Sequence, residues 1–309
     1  MKNVTVIGGG VLGSQIAFQV AYSGFRVKVW LRSESSIERT KAKLEKLRKT
    51  YVDSINDMKN KKTQNWCYGI SNFENFNADE CLKKISNAYD NITLELDLEE
   101  SIKDADLIIE SMSEDFKAKR DLYKKISPFV RRDTIVVTNS STMLPSKLAR
   151  YTKYPDMFLA LHFANSIWKN NIVEVMKHSK TDDECFNKVL LFAKEINMIP
   201  LPLYKEKAGY LLNSMLIPFL FSALDLYATG VSDPEHIDTA WTIGTGSDEG
   251  PFHMLDIIGL KTAYEIVKMY VKIPSCLSPY HFKAIAKKLE SYIDKGKLGK
   301  ASGEGFFKY

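Results

Sequence analysis

The first part of the chain alternates short apolar runs with segments of helical periodicity. Residues 4–7 form a β-branched apolar run, and a cluster of glycines follows it directly. From Ser14 the apolar residues fall on one helical face, and Gly24 ends this helix, as glycine commonly does. Residues 26–31 then predict a second strand. Strand, glycine turn, helix and strand in this order indicate the first βαβ unit of a doubly wound α/β fold.

The pattern changes between about residues 33 and 91, where we expect a helical excursion from the sheet. Residues 37–50 are rich in Lys, Arg, Glu and Leu, and a helical turn is expected near residues 81–85. The sheet then resumes, with a helix at about residues 115–129 and strands at residues 107–109, 134–138, 158–162 and 172–176.

The alternation of strands and helices stops near residues 200–204, and only helical patterns follow. They span residues 209–227, 234–242, 260–271 and 278–295. Because βα units crowd one part of the chain and helices the other, we predict two domains. Residues 1–203 would form the doubly wound α/β domain, and residues 204–309 an all-α domain.

Composition is that of an ordinary globular protein, with 45% hydrophobic and 26% charged residues among 309. No segment predicts a transmembrane helix or a secretory signal, so we expect no membrane partner. The net charge of +5 comes with lysines spread along the chain, which favours a solvated surface over a nucleic-acid-binding patch.

Four cysteines are scattered without CxxC spacing: Cys67, Cys81, Cys185 and Cys276. Isolated cysteines of this kind predict reduced, structural thiols in a cytoplasmic protein. The sequence therefore predicts neither disulfides nor a metal site.

The glycine cluster reads Gly8-Gly9-Gly10-Val11-Leu12-Gly13 and fits the pattern GxGxxG. In this pattern Gly8 makes a tight turn, Gly10 lets the backbone approach a pyrophosphate, and Gly13 lets the helix pack close to the strand. The N-terminus of the helix that follows offers N–H groups and a positive dipole end to phosphates, and Val11 and Leu12 of the cluster belong to the predicted cofactor site. Because a strand precedes the cluster and a helix follows it, we predict a dinucleotide site rather than a glycine-rich structural turn.

The end of the second strand bears on which dinucleotide is bound. An acidic residue there would hold the ribose hydroxyls of NAD(H), but this chain has Leu31 followed by Arg32. An arginine can pair with the 2′-phosphate of NADP(H), which favours that cofactor. The alternative is that Arg32 is one more solvated surface residue.

Polar side chains lie where two predicted strands end. The segment Asn139-Ser140-Ser141-Thr142 follows one strand, and His162 closes the next. Both positions belong to the carboxyl edge of the sheet, where ligands bind in open α/β folds. Glu174 lies in the following strand and can return beside the histidine, and a histidine oriented by a carboxylate is a general base near neutral pH. Taken alone, the histidine would be an ordinary strand-end residue and the serines a turn or helix cap.

Several short sequence blocks occur along the chain in a characteristic order. They are residues 8–13, Thr138-Asn139-Ser140-Ser141, His162-Phe163-x-Asn165, Val173-Glu174-Val175, Ala208-Gly209-Tyr210-x-x-Asn213, Gly250-Pro251-Phe252 and Gly303-Glu304-Gly305-Phe306. Together these blocks resemble the 3-hydroxyacyl-CoA dehydrogenases over almost the whole chain. The resemblance implies a Rossmann-like first domain and a helical second domain that forms a homodimer interface. It also implies hydride transfer between NAD(P)(H) and the 3-hydroxy or 3-oxo group of a short-chain acyl-CoA.

The resemblance implies roles for individual residues as well. The family's catalytic histidine–glutamate pair falls on His162 and Glu174. Its serine and asparagine that hold the substrate oxygen fall on Ser141 and Asn213. The family's cofactor contacts fall on three further residues: Glu114, Lys119 and, at the nicotinamide side, Asn139.

Departures from the family pattern keep the substrate open. Ala164 and Ser166 replace a phenylalanine and a proline that usually follow the histidine, and the excursion after Ser33 is longer than usual. That region helps hold the CoA in the family, so a dehydrogenase of a free hydroxy acid, of the sugar-acid or carnitine type, is an alternative. A non-catalytic nucleotide-binding protein is a more remote one.

Basic side chains in the excursion have two interpretations. Lys41, Lys43, Lys46 and Lys49 could meet the phosphates of CoA, or they could form an exposed helix face that is simply solvated.

Overall fold

A computed structural model describes residues 1–60, 66–274 and 277–309 of the chain, which divides into the units Met1–Leu211 and Leu212–Tyr309. In the first unit eight strands form one sheet in the order β3-β2-β1-β4-β5-β6-β7-β8. The strands are β1 Asn3–Ile7, β2 Arg26–Trp30, β3 Ile92–Glu95, β4 Leu107–Glu110, β5 Ile135–Thr138, β6 Phe158–Phe163, β7 Ile172–Met176 and β8 Ile199–Leu203. Neighbouring strands are parallel except β6 and β7, which are antiparallel.

Seven α-helices of the first unit accompany this sheet among the described residues. They are α1 Val11–Tyr22, α2 Glu34–Lys59, α3 Ala78–Asp90, α4 Leu98–Ile102, α5 Phe116–Ile126, α6 Pro145–Ala149 and α7 Asp183–Glu195. The sheet is apolar on both faces, as parallel sheets covered by helices are. Val6 packs into the core that includes α1, α2, α3 and α7, whereas Ile108 packs into the core that includes α4, α5 and α6. The predicted doubly wound α/β architecture is confirmed.

The helical excursion packs directly against the sheet domain. Its helices α2 and α3 lie against α1. Tyr51 of α2 is fully buried, with its ring 4.8 Å from that of Phe18 and its hydroxyl on the side-chain oxygen of Gln19. The amide of Gln19 in turn donates to the backbone oxygens of Gly69 and Ile196. The excursion therefore shares the main core with α1.

Two strands of the sheet were not predicted. β3 is a short edge strand with only partly buried side chains, so its residues lack the continuous apolar run of a central strand. β8 contains Pro200 and Pro202, which an edge strand tolerates and a central strand does not. Both strands lie at the ends of the sheet, where the sequence signal is weakest.

The first unit ends at Leu211, eight residues beyond the boundary expected at residue 203. The reason is that the segment after β8 returns to the sheet. Tyr210 hydrogen-bonds to the backbone of Ser140, and the N–H of Leu211 donates to Glu174.

The second unit is helical, as predicted, with its own apolar core that includes Leu224, Phe252 and Ile285. Its helices are α8 Leu212–Ala228, α9 Pro234–Thr245, α10 Pro251–Ile258, α11 Leu260–Lys268 and α12 Phe282–Ile293. Of these, α10 was not predicted. None of the described helices is long and apolar enough to cross a membrane.

The two C-terminal sequence blocks have structural roles. The carboxylate of Asp238 accepts from the N–H groups of Phe252 and His253, and a side chain at Gly250 would overlap this carboxylate. The buried carboxylate of Asp256 accepts from the N–H groups of Phe306 and Phe307 in the same way. These blocks close the helical unit around two buried carboxylates.

The cysteine prediction can be followed at three positions. Cys67, Cys81 and Cys185 are buried thiols, whereas Cys276 lies outside the described residues.

Candidate active site

The glycine loop joins β1 to α1. In the sheet β1 lies between β2 and β4, so this loop lies where the order of the strands reverses. Gly8 has a φ of +113°, and a Cβ there would lie 2.6 Å from the carbonyl oxygen of Ser111. A Cβ on Gly13 would overlap the carbonyl oxygen of Gly8. Gly10 differs, because no atom lies within 4 Å of the position its Cβ would take. Two glycines therefore allow close packing, and the third borders open space.

The open space lies where the sequence predicts that a dinucleotide pyrophosphate binds. Gly10 caps α1, whose first turn contains no acidic residue. The side chain of Val11 is 67% exposed, so this helix end faces solvent, whereas Leu12 packs against the main core. A helix N-terminus with this exposure attracts phosphate through its N–H groups and its dipole.

A groove of about 310 Å³ continues from the loop along the end of β2. Its charged lining residues are Arg32, Arg39 and Lys43, and its described lining residues include no carboxylate. Lys43 of α2 donates to the carbonyl oxygen of Gly9 at 3.0 Å, and Arg39 donates to the hydroxyl of Ser36 at 2.9 Å. The groove therefore combines positive charge with hydroxyl groups.

The other residues considered near the groove differ in their exposure to solvent. Leu31 is 2% exposed and belongs to the core. Lys41, Lys46 and Lys49 are exposed, so Lys43 alone of the four excursion lysines lines the groove. A larger cavity of about 580 Å³ lies at the amino edge of the sheet, beside Asn3 and Arg26, away from all of these groups.

His162 and Glu174 face each other because β6 and β7 form an antiparallel pair in which the two residues are direct partners. The Nδ1 of His162 lies 2.9 Å from Oε2 of Glu174, and the two side chains are only 13% and 4% exposed. The other oxygen of Glu174 accepts from the N–H of Leu211 at 2.8 Å. A buried carboxylate that accepts from Nδ1–H sets the tautomer in which Nε2 carries a lone pair.

Ser141 completes a line of hydrogen-bonding groups. Its Oγ lies 3.0 Å from Nε2 of His162. The hydroxyl can therefore donate to the neutral ring, on the side opposite Glu174.

The turn that carries Ser141 is held by Glu114. This carboxylate accepts from the N–H of Thr142 at 2.9 Å and from the hydroxyls of Ser140 and Thr142. Partial burial alone would raise the pKa of Glu114, but these hydrogen bonds and the charge of Lys119 outweigh it and hold the pKa below its ordinary value. Glu114 is therefore an ionised anchor for the serine turn.

Lys119 belongs to a buried network beneath this turn. Its side chain is 1% exposed, and its amino group lies on the fully buried carboxylate of Glu110 and 3.6 Å from Glu114. Glu110 also accepts from the hydroxyls of Tyr123 and Thr138. Lys119 therefore presents no exposed charge, and it can affect a cofactor only through the residues that it holds.

Asn139 connects three strand ends. Its side-chain oxygen accepts from the N–H of Phe163 in β6 at 2.9 Å, and its amide group lies 3.4 Å from the hydroxyl of Ser111 after β4. Since Asn139 itself follows β5, it fixes the histidine strand relative to the glycine-loop side of the site.

The loop after His162 rests on α1 and on the excursion. Ser166 adopts a φ of +57°, and its N–H donates to the side chain of Gln15 in α1. The N–H of Gly69 donates to the carbonyl oxygen of Trp168 at 3.0 Å, and a Cβ on Gly69 would lie 2.5 Å from the oxygen of Ile167. Ala164 and Ser166, which depart from the family pattern, thus lie in a loop that the excursion supports.

Tyr210 lies in one of the sequence blocks, and the sequence alone assigns it no role. Its ring stacks on the imidazole of His162, with ring centroids 4.3 Å apart and an interplanar angle of 19°. Its hydroxyl donates to the carbonyl oxygen of Ser140 at 2.6 Å. The contact depends on a return of the chain after β8 that no local sequence pattern reveals.

Asn213 lies in the first turn of α8, in the second unit. The structure brings His162, Glu174 and Ser141 together within the first unit, and the part of Asn213 in the site stays a prediction.

Comparison with known proteins agrees with both units. The NAD binding domain of 3-hydroxyacyl-CoA dehydrogenase matches residues 3–207, and the C-terminal domain of the same enzymes matches residues 209–309. The mitochondrial hydroxyacyl-coenzyme A dehydrogenase of Homo sapiens is 32% identical over 100% of this chain and 91% of its own length. The 3-hydroxybutyryl-CoA dehydrogenase of Clostridioides difficile is 30% identical over 99% of each chain. The chain belongs to the 3-hydroxyacyl-CoA dehydrogenase family, and it is an oxidoreductase with a NAD-binding domain.

Solved structures extend the comparison. A diketoreductase described as acting on dicarbonyl compounds is 43% identical, with a TM-score of 0.85 over 100% of this chain and 99% of its own. FadB2 of M. tuberculosis is 25% identical, with a TM-score of 0.80 over 100% and 99% of the two chains. The predicted family, fold and enzyme class are thus confirmed.

Proposed function

We propose that this enzyme interconverts the 3-hydroxy and 3-oxo groups of a short-chain acyl-CoA, with His162 as the acid–base group. The observation that carries the proposal is the line Ser141–His162–Glu174, with separations of 3.0 and 2.9 Å. Family membership supports the 3-hydroxyacyl-CoA substrate class. When bound at the glycine loop, the nicotinamide cofactor accepts or supplies the hydride.

The residues of this chain have defined tasks in that reaction. In oxidation, Nε2 of His162 takes the proton of the 3-hydroxyl, and Glu174 stabilises the imidazolium that forms. In reduction, the imidazolium returns the proton to the developing alkoxide. Ser141 and Asn213 hydrogen-bond the reacting oxygen and so stabilise its charge.

The proposal is tested by steady-state reduction of acetoacetyl-CoA against free acetoacetate with the same protein. Fast turnover of the CoA ester alone is the expected result. Turnover of the free acid at a comparable rate, or of the free acid alone, would contradict the acyl-CoA assignment.

A second candidate is reduction of a free oxo acid or dicarbonyl compound without CoA. Two observations favour it: the 43% identity to the diketoreductase, and the loop with Ala164 and Ser166 beside the base. A panel of free β-diketo and hydroxy acids tests this candidate. Rates on the panel that exceed the rate on acetoacetyl-CoA would establish it.

We infer that the groove at the end of β2 selects NADP(H) over NAD(H). Arg32, Arg39 and Lys43 supply positive charge, and the buried Leu31 stands where a ribose-binding acid would be. Guanidinium groups suit the doubly charged 2′-phosphate, whereas with the uncharged ribose hydroxyls of NAD(H) they form only weaker hydrogen bonds.

Cofactor selection is measured as the ratio of kcat/KM for NADPH to kcat/KM for NADH. We expect the wild-type ratio to exceed one, and Arg32→Ala and Lys43→Ala each to lower it by about tenfold or more, the worth of a charge-assisted hydrogen bond. Lys59→Ala, at the exposed end of the same helix, is the matched control and keeps the ratio. A wild-type preference for NADH that Arg32→Ala leaves unchanged would make Arg32 a solvated surface residue.

We also propose that the enzyme is a homodimer through its C-terminal unit. Large apolar side chains of this unit are exposed, among them Met215 in α8, Ile243 in α9 and Ile257 in α10. Exposed apolar side chains can contribute to an interaction site, and the family resemblance implies a dimer interface in this unit. Sedimentation should give twice the chain mass of 35.2 kDa, and Ile243→Glu should shift it toward one chain. A wild-type monomer at micromolar concentration would contradict the proposal.

A further inference from the structure

Tyr210 combines a stacking contact with complete burial. Its side chain is 1% exposed, and its ring lies nearly parallel to the imidazole of His162, 4.3 Å away. The face of an aromatic ring is electron-rich and attracts a cation. The stacked ring therefore favours the imidazolium over the neutral imidazole.

The hydroxyl of Tyr210 makes a second, separate contact. It donates to the carbonyl oxygen of Ser140 at 2.6 Å, one residue before Ser141. Burial, together with the nearby charge of Glu174, raises the pKa of the Tyr210 phenol above its ordinary value, so the group stays a donor. One side chain thus connects the acid–base ring to the turn that carries its serine partner.

The backbone at Tyr210 makes a third contact possible. Its φ of +53° lies in the left-handed region, which a residue with a bulky side chain rarely adopts. Such strain persists only where the surroundings over-determine it, and it is common at active sites. The next residue, Leu211, directs its N–H to Oε1 of Glu174 at 2.8 Å. Tyr210 and Leu211 together therefore contact His162, Glu174 and Ser140, the residue before Ser141.

We propose that Tyr210 is a positioning residue of this active site, which aligns His162 with Ser141 through ring stacking and the hydrogen bond to Ser140. The inference rests on the proposed role of His162 as the acid–base group. It adds a residue whose ring and hydroxyl have different effects: the ring favours the protonated base, and the hydroxyl fixes the serine turn. A residue that only filled space would need the ring alone.

Two substitutions separate these effects. Tyr210→Phe keeps the stacked ring and removes the hydrogen bond, and we expect kcat to fall between about two- and tenfold with little change in KM. Tyr210→Leu keeps an apolar side chain at this position but removes the aromatic face. It should lower kcat further, and it should move the alkaline fall of the reduction rate to lower pH, because the imidazolium loses its stacked partner.

Tyr22→Phe is the matched control. Tyr22 is also buried and donates to a backbone carbonyl oxygen, that of Ile70, but it lies on α1 away from His162. It should lose stability and keep both kcat and the pH profile. Tyr210 variants that behave like Tyr22→Phe would overturn the inference.

A failure of the inference about Tyr210 can be distinguished from a failure of the proposed function. If the wild-type enzyme reduces neither substrate class, the proposed function fails. The NMR titration of the His162 ring then tests the inference alone, with a lower midpoint expected in Tyr210→Leu than in the wild type. An identical midpoint in the two proteins would overturn it.

Discussion

Three glutamates at the carboxyl edge of the sheet have different surroundings and therefore different tasks. Glu110 is fully buried, and its charge is balanced by Lys119. Glu174 is also buried, but its partner is His162, which can change charge. Glu114 is 37% exposed and holds the serine turn through hydrogen bonds. Only Glu174 has the environment of a group that responds to proton transfer.

The lowered pKa of Glu114 predicts a pH-dependent contribution to stability. A carboxylate whose folded pKa is depressed stabilises the fold above its unfolded pKa of about 4.3 and loses this effect as pH falls through the folded value. We expect Glu114→Gln to melt at a lower temperature than the wild type at pH 7. The difference should narrow as the pH falls below about 4.3.

Thermal unfolding at several pH values measures this effect, with Glu74→Gln as a control at an exposed position. A melting difference for Glu114→Gln that is the same at every pH would show that the carboxylate charge is not what holds the turn.

Whether a contact between two residues can be predicted from the sequence depends on whether the contact is local. His162 and Glu174 could be paired in advance because adjacent strand ends bring them together, and the antiparallel register makes them direct partners. Tyr210 could not, because its contact needs a left-handed backbone and a return of the chain after β8. Lys119 could be placed near the site but not buried, since nothing local marks Glu110 as its partner.

At the scale of elements, the glycine loop separates packing from binding. Gly13 lies where α1 meets the carbonyl oxygen of Gly8, and Gly10 lies beside open space. The same substitution should therefore lower stability at Gly13 and cofactor affinity at Gly10.

Gly13→Ala should lower the free energy of unfolding by about 1–3 kcal/mol or more, because the added methyl group meets backbone that cannot move aside. Gly10→Ala should keep normal stability but weaken dinucleotide binding, since its methyl group occupies the space that the phosphates need. Chemical denaturation and fluorescence titration with NADPH measure the two effects. Unchanged cofactor affinity in Gly10→Ala would mean that the pyrophosphate lies elsewhere.

The excursion shows that the sequence can predict a helix without predicting its contacts. A helix over residues 37–50 was predicted from composition, and α2 extends from Glu34 to Lys59. Its contact with the glycine loop, through Thr40 and Lys43, could not be inferred, because it depends on how α2 packs across α1. The edge strands β3 and β8 were missed for a related reason, as partial burial and prolines weaken the strand signal.

At the scale of the whole molecule, the division into an α/β unit and a helical unit followed from the change in periodicity along the chain. The roles of the sequence blocks that resemble the family were harder to predict. Three blocks contain the residues that contact His162, namely Ser141, Glu174 and Tyr210. The two nearest the C-terminus instead enclose the buried carboxylates of Asp238 and Asp256. A block of family sequence is therefore not by itself a sign of catalysis, and only its contacts decide.

The central claim is that His162 carries the proton while the dinucleotide site works independently of it. The most direct test is NADPH oxidation with acetoacetyl-CoA by the wild type and His162→Gln, together with the Kd of each for NADPH. We expect kcat/KM to fall by at least about 10²–10⁴-fold, the usual worth of a general acid–base group, with Kd nearly unchanged. Near-normal turnover by His162→Gln would contradict the account.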